Sequence, residues 1–315
     1  MNLRHAILVL TATYELTSEQ HNELNQLAAL GEPPPDLARS LHAGLAIVGV
    51  ALGGLGILFW IAANWQSMPP GGRFALLQTL LVAALLGAWL RPAARVPLSL
   101  LGFITCGGLF AHFGQTYQMG ADPWQLFAWW AALTLPLCLS VRHGVLWTAW
   151  ATVALTAALL TGFIVPGRTL FHASLGSWVP ALVLAAAFRF LPALGSTLWP
   201  MRLSMIYATT GLCWIAIISL LDHAFDATYV LTLACVVGLA CVFALRRMFD
   251  VFVMSALGFG INVLVTGAAA RVLLDNQNVH AGSVLVTGCF AAGLLAATIK
   301  LIVFLTRVHT GEHIA

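Results

Sequence analysis

Ten stretches of this chain are apolar for long enough to cross a lipid bilayer, and nothing else in the sequence restricts the fold so tightly. A helix needs about 20 apolar residues to cross a hydrocarbon core of roughly 30 Å, because its backbone polar groups must be satisfied within the segment. The stretches run from Leu41 to Asn64, Phe74 to Leu90, Val96 to Gln115, Trp124 to Ser140, Val145 to Ile164, Leu175 to Phe190, Leu203 to Leu221, Tyr229 to Leu245, Val251 to Leu274 and Val284 to Leu305. Two places decide the count: the tight Val141-Arg142-His143-Gly144 link between spans four and five, and Pro180 inside span six. The fold class that follows is all-α, a polytopic transmembrane bundle of about ten helices.

Composition agrees, since 60% of the 315 residues are hydrophobic and 8% charged, with a mean hydropathy of +0.92. A soluble chain carries about 25% charged residues to meet water, so a soluble fold is excluded. The net charge of +3 is spread over single or paired arginines at the ends of apolar runs and forms no patch for nucleic acid. Six cysteines lie inside apolar stretches without a C-x-x-C pair, which reads as buried small side chains, with neither a disulfide framework nor a zinc site.

The first forty residues are different in kind. The start does not read as a signal peptide, because the apolar run Ala6 to Leu10 is short and polar sequence with Glu15, Glu19 and Glu23 follows. Leu3, Ile7, Leu10 and Tyr14 make a helical stripe, and Thr17 with Gln20 has capping-box spacing ahead of a second amphipathic helix. Gly31-Glu32-Pro33-Pro34-Pro35 then breaks the pattern. The chain thus divides into an amphipathic helical segment with a Pro-rich linker over 1–40 and a bundle over 41–315. The segment either lies on the membrane as a solubilising hairpin or docks a protein partner.

Basic residues set the orientation, since Lys and Arg are retained on the cytoplasmic side. With the N-terminus inside, eleven fall on the cytoplasmic side and three, Arg73, Arg168 and Arg271, on the other. That asymmetry favours an even number of spans with both termini cytoplasmic. Glycine in the first, third and ninth spans, including the step Gly49-x-x-x-Gly53 and the pair Gly107-Gly108, reads as close helix contact. Ser99-Leu100-Leu101-Gly102-Phe103 and Ser255-Ala256-Leu257-Gly258-Phe259 hint at an internal repeat.

One segment carries a signature. Ala62-Ala63-Asn64-Trp65 closes span one, and Gly114-Gln115-Thr116-Tyr117 leads through Gln118 and Asp122 to Leu126 and Trp129. These elements resemble the A-x-N-W and G-Q-x-Y-x-x-x-x-D-x-x-x-L-x-x-W motifs of the bacterial domain-of-unknown-function 2157 family of multi-pass membrane proteins. The part from Asp122 to Trp129 is also similar to the related Gly-Asp-Tyr-x-x-Leu-x-x-Trp membrane proteins, with Pro123 or Trp124 at the tyrosine place. The resemblance covers 41 to about 140, with fitting N-terminal helices, and implies a bacterial cytoplasmic-membrane protein; it brings no established activity.

Read physically, Gln115, Tyr117 and Gln118 carry polar groups to a depth where unpaired ones are expensive. Asn64, Trp65 and Asp122 are expected on the same outer level. Either these side chains form a lattice that locks spans one, three and four, or they line an outward pocket walled by Trp124, Trp129 and Trp130. His112, His172, His223 and His280, with Asp122, Asp222, Asp226 and Asp275, also fall near the outer face, but none has the spacing of a metal motif. Arg271 and Lys300 lie inside apolar runs, and Lys300 is the candidate intramembrane charge, the alternative being that it snorkels to the headgroups. The spans hold no mid-depth Asp or Glu, which counts against a carboxylate-coupled carrier. Walker, zincin and nucleophile-elbow motifs are missing, so the chain does not read as an enzyme and needs no cofactor. Two functions remain: a transporter or channel for a small solute, or a scaffold or sensor that binds a partner through its N-terminal helices.

Overall fold

The structure is a computed structural model that describes residues 11, 13, 14, 16–27, 37–64, 66–117, 122–162, 170–191, 194, 195, 198–223, 226–274 and 281–310. Among them there is no strand. The helices are α1 (Ser18–Leu27), α2 (Leu37–Ala63), α3 (Pro70–Leu90), α4 (Arg95–Tyr117), α5 (Pro123–Val141), α6 (Gly144–Gly162), α7 (Leu170–Phe190), α8 (Leu198–His223), α9 (Ala227–Ala244), α10 (Val251–Leu274) and α11 (Ala281–Thr310). Nine are long and apolar enough to cross a membrane; the tenth expected span, α7, has a shorter apolar described part, Trp178–Phe190. Pro180 is accommodated inside α7 without ending it.

The chain separates into two compact units, residues 1–53 and 54–315, and the division falls within α2. In the first unit the expected capping box is formed. The Gln20 N–H donates to Thr17 Oγ1 at 3.4 Å and the Thr17 N–H to Gln20 Oε1 at 3.0 Å, so each residue satisfies the other's orphan donor at the start of α1.

In the second unit local chemistry places each boundary. Pro70 opens α3, where the missing N–H costs nothing. Pro92 ends that helix by forcing Arg91 into an extended conformation. The α5–α6 link is as tight as the sequence indicates: Arg142 turns the chain in the left-handed region at φ 49° and its N–H bonds Cys138 O at 2.9 Å. Two aspartates cap helices. Asp226 Oδ1 accepts the Tyr229 N–H at 2.9 Å ahead of α9, and Asp250 Oδ1 accepts the Val253 N–H at 3.1 Å ahead of α10.

From α3 onward consecutive helices lie side by side, and α8, which touches α6, α7, α9 and α10, is the centre. Half of its apolar window is buried, against none of the window of α11. Besides the buried leucines and alanines of the core, glycine, tryptophan and a single amide make specific joints between helices. Gly107 and Gly108 on α4 receive Trp130 of α5 and Leu58 of α2, and a Cβ at either glycine would fall 2.4 and 2.3 Å from those side chains. Indole N–H groups then fix the contacts: Trp130 Nε1 donates to Phe103 O at 3.0 Å, Trp150 Nε1 to Ala131 O at 2.8 Å and Trp147 Nε1 to Leu194 O at 2.8 Å. Between α10 and α11 the amide of Asn262 donates to Thr298 Oγ1 at 3.1 Å, with Gly258 making room for the threonine methyl. The two repeat-like pentapeptides stand in unlike surroundings, since Phe103 is 2% exposed and Phe259 64%.

Candidate functional site

Contacts within the second unit show which ends of the helices lie together. Arg95 at the start of α4 donates to Ser140 O at the end of α5 (3.1 Å), and Arg189 at the end of α7 donates to Arg247 O beyond α9 (2.7 Å). Arg202 near the start of α8 binds Asp250 ahead of α10, and Phe249 meets His309 near the end of α11 edge-to-face, with ring centroids 4.4 Å apart. Arg95, Arg142, Arg189, Arg202 and Arg247, which the sequence assigns to one side, therefore lie at one end of the second unit. Among the described residues of the second unit, the only acid at this end is Asp250.

Asp250 is engaged on all sides. Arg202 Nη2 lies 2.8 Å from Asp250 Oδ2 and Arg202 Nε 3.1 Å from the same oxygen, while Oδ1 caps α10. The guanidinium also stands 5.3 Å from the Trp199 ring and 5.5 Å from that of Phe252. Arginine suits this place because a planar cation can bind a carboxylate along its edge and aromatic rings across its faces. Neither this pair nor Asn262–Thr298 was drawn from the sequence. The available signals were an Asp directly ahead of an apolar run, the N-cap place, and a lone amide in the middle of a span.

The opposite end carries the signature residues. Gly54 meets Leu101 and Ile104, and Leu58 meets Gly108, so the end of α2 runs alongside α4. Continuing both helices brings Asn64 to the level of Gln115. Gly114 meets Leu126 of α5, which puts Asp122 about one turn further on. Helix geometry thus puts the three near one level, and no side-chain hydrogen bond joins any two of them. The Asn64 amide donates to Trp60 O on its own helix at 2.9 Å, Gln115 is exposed, and Asp122 occupies the N-cap place of α5 without a side-chain bond. Trp124 is half-buried and Trp129 62% exposed, whereas Trp130 is taken up by the α4 contact. The Tyr117 side chain, Trp65 and Gln118 lie outside the described residues.

The two motifs that stand on this level, at the ends of α2 and α4, coincide with a known family. Residues 11–147 match the family described as predicted membrane protein (DUF2157). The DUF2157 match takes in the capping box, both motifs and the α5–α6 link, and it stops within α6. No curated protein and no solved structure matches the chain.

Among the remaining candidates, His112 is 3% exposed beside the start of α3. Its Nε2 lies 3.4 Å from Pro70 O and its Nδ1 3.4 Å from Thr116 Oγ1, and Phe74 covers the ring at 4.3 Å. It is a histidine with partners in the helix packing. Asp226 does more than sit in a loop: the Ser219 hydroxyl and the Tyr229 N–H bond its carboxylate and hold its pKa below the usual value. Tyr229 in turn donates to Leu264 O at 2.9 Å, tying α9 to α10. Asp222 is exposed, and Lys300 is exposed on α11. The side chains of His172 and His223, and His280 and Asp275 entirely, lie outside the described residues. Among those described, no three His, Cys, Asp or Glu side chains converge.

Proposed function

We propose that the protein is a non-enzymatic, multi-pass component of a bacterial cytoplasmic membrane, with both termini cytoplasmic, that binds and translocates a small neutral solute. What supports this reading is one observation: Asn64, Gln115 and Asp122 share a level at the end of the bundle opposite the arginines without bonding one another. A lattice that served folding alone would pair these groups, because polar groups near hydrocarbon are costly when left open. Unpaired, Gln115 and Asp122 offer donors and acceptors to a ligand, and Trp124 offers an apolar surface beside them. A thermal-shift screen of the purified protein against small neutral metabolites tests the reading. A solute that raises the melting temperature of the wild type and not of Gln115→Ala or Asp122→Ala supports it. A solute that shifts all three proteins equally refutes it.

A second reading, a scaffold or sensor, is favoured by the separate first unit and its capped polar helix α1. Under it, removing residues 1–35 releases a co-purifying protein while the bundle stays monodisperse; retention of that protein after the deletion contradicts it.

A further inference from the structure

Of the cations at the arginine-bearing end that the ion pair does not neutralise, two meet at the end of α5. Arg95 Nη2 donates to Ser140 O at 3.1 Å and Arg142 Nε to Leu139 O at 3.2 Å, so the two guanidinium groups bind carbonyls of successive residues in the last turn of α5. Arginine caps helix ends in this way because the last four carbonyls lack intrahelical partners. Capping uses one donor of each group and brings two like charges together. Both side chains are exposed, and Asp250, the only acid at this end among the described residues of the second unit, is taken by Arg202.

An open groove of about 490 Å³ lies between Leu100 of α4, the helix that Arg95 opens, Trp199 of α8 and the first turns of α6. It begins at His143, next to Arg142, and reaches Thr152. The eight steps from Gly144 to Thr152 rise about 12 Å along the axis of α6. The lining is almost wholly apolar, and the Thr148 and Thr152 hydroxyls are spent on the α6 carbonyls of Gly144 and Thr148 at 2.7 and 2.9 Å. An occupant of this groove is therefore apolar along its length and anionic where it meets Arg95 and Arg142.

We propose that the groove is a binding site for an acidic phospholipid, with one acyl chain laid along Val145, Ala149 and Thr152 and the headgroup phosphate held by Arg95 and Arg142. Charge complementarity selects the headgroup, because two guanidinium groups in hydrogen-bonding reach of one phosphate make charge-assisted bonds that a zwitterionic headgroup weakens. The groove selects a lipid over a free anion. Trp199 at its rim suits the membrane interface.

Native mass spectrometry of the full-length protein in detergent, titrated with phosphatidylglycerol or phosphatidylethanolamine, tests the site. Phosphatidylglycerol is expected to be retained about tenfold better by the wild type. The double variant Arg95→Gln/Arg142→Gln abolishes that preference, whereas Arg246→Gln, which removes an exposed charge from the same end, preserves it. Thr152→Trp, which fills the groove and leaves both arginines, weakens retention. Equal retention of the two lipids by the wild type overturns the proposal, as does a preference that survives the double variant. Displacement of phosphatidylglycerol by millimolar inorganic phosphate overturns it in favour of a free-anion site. Thr152→Trp also covers the case in which loss of both caps unfolds the end of α5, and unchanged retention in that variant refutes the groove by itself.

Discussion

Replacing Gly107 by alanine is the sharpest perturbation of the bundle, because the structure fixes both its sign and its size. In an ordinary exposed helix the change adds stability, up to about 1 kcal/mol from propensity. Here the new methyl would stand 2.4, 2.6 and 2.7 Å from three atoms of the Trp130 ring. Carbon atoms settle at about 3.5–4.0 Å, so the rigid indole must retreat by roughly 1 Å. That movement stretches the 3.0 Å bond from Trp130 Nε1 to Phe103 O out of hydrogen-bonding range. Losing the bond costs about 0.5–1.5 kcal/mol. Overpacking adds about 1–3 kcal/mol, and the ring has little room to move because Phe103, Ala131 and Val153 form a buried cluster around it. The net expectation is a loss of about 0.5–3.5 kcal/mol once a propensity gain of about 1 kcal/mol is subtracted. Unfolding in mixed detergent micelles, followed by tryptophan fluorescence and by circular dichroism, measures it. The partner variant Trp130→Phe loses the bond but opens space, so the two changes together should be less damaging than their sum by at least about 0.5 kcal/mol. Gly107→Ala that stabilises the protein, or strict additivity with Trp130→Phe, would refute the reasoning.

Other substitutions test the remaining joints. Asp250→Ala removes both the partner of Arg202 and the cap of α10, and it should cost about 2–4 kcal/mol in the same unfolding assay, more than Asp226→Ala at about 1 kcal/mol. Arg202→Lys should recover little of the Asp250 pair, since an ammonium keeps neither the edge-on binding nor the contact with Trp199 and Phe252. Asn262→Leu removes the amide between α10 and α11; a cost of about 0.6–2 kcal/mol and faster hydrogen exchange in α11 are expected. The Asp226 carboxyl is held below its ordinary pKa by Ser219 and Tyr229, so its charge-dependent share of stability is complete above the unfolded-state pKa and is lost as pH falls through the lower folded-state pKa. Melting temperatures of wild type and Asp226→Asn should therefore converge on acidification, and a constant difference across that window would contradict the assignment.

Much of this architecture is legible in the amino-acid order because a bilayer leaves a chain few choices. Span length and the capping residues Thr17 and Gln20 act locally, and the structure shows, among the described residues, nine helices long enough to span and the capping box in place. Arginine placement is legible for the same reason: a charge must end at an interface, and the end of the bundle that gathers Arg95, Arg189 and Arg202 is the one the alternation requires. What could not be read are pairings between distant helices. Asn262 meets Thr298 and Arg202 meets Asp250 only once α8, α10 and α11 are side by side, and neither partner signals the other along the chain. The signature segment falls between. Its residues reach one level as their spacing implies, while the lack of bonds among Asn64, Gln115 and Asp122 depends on side-chain directions that spacing does not fix.

The central claim, an alternating bundle whose arginine-bearing end faces the cytoplasm, is tested most directly by single cysteines at Ser67, Asp122, Arg142 and Arg246 in a background freed of the six native cysteines. A membrane-impermeant maleimide applied to intact spheroplasts is expected to label positions 67 and 122, and to label 142 and 246 only after the membrane is opened. Labelling of 142 or 246 from outside, with 67 and 122 protected, would reverse the orientation, and labelling of 122 and 142 from the same side would contradict the alternation itself.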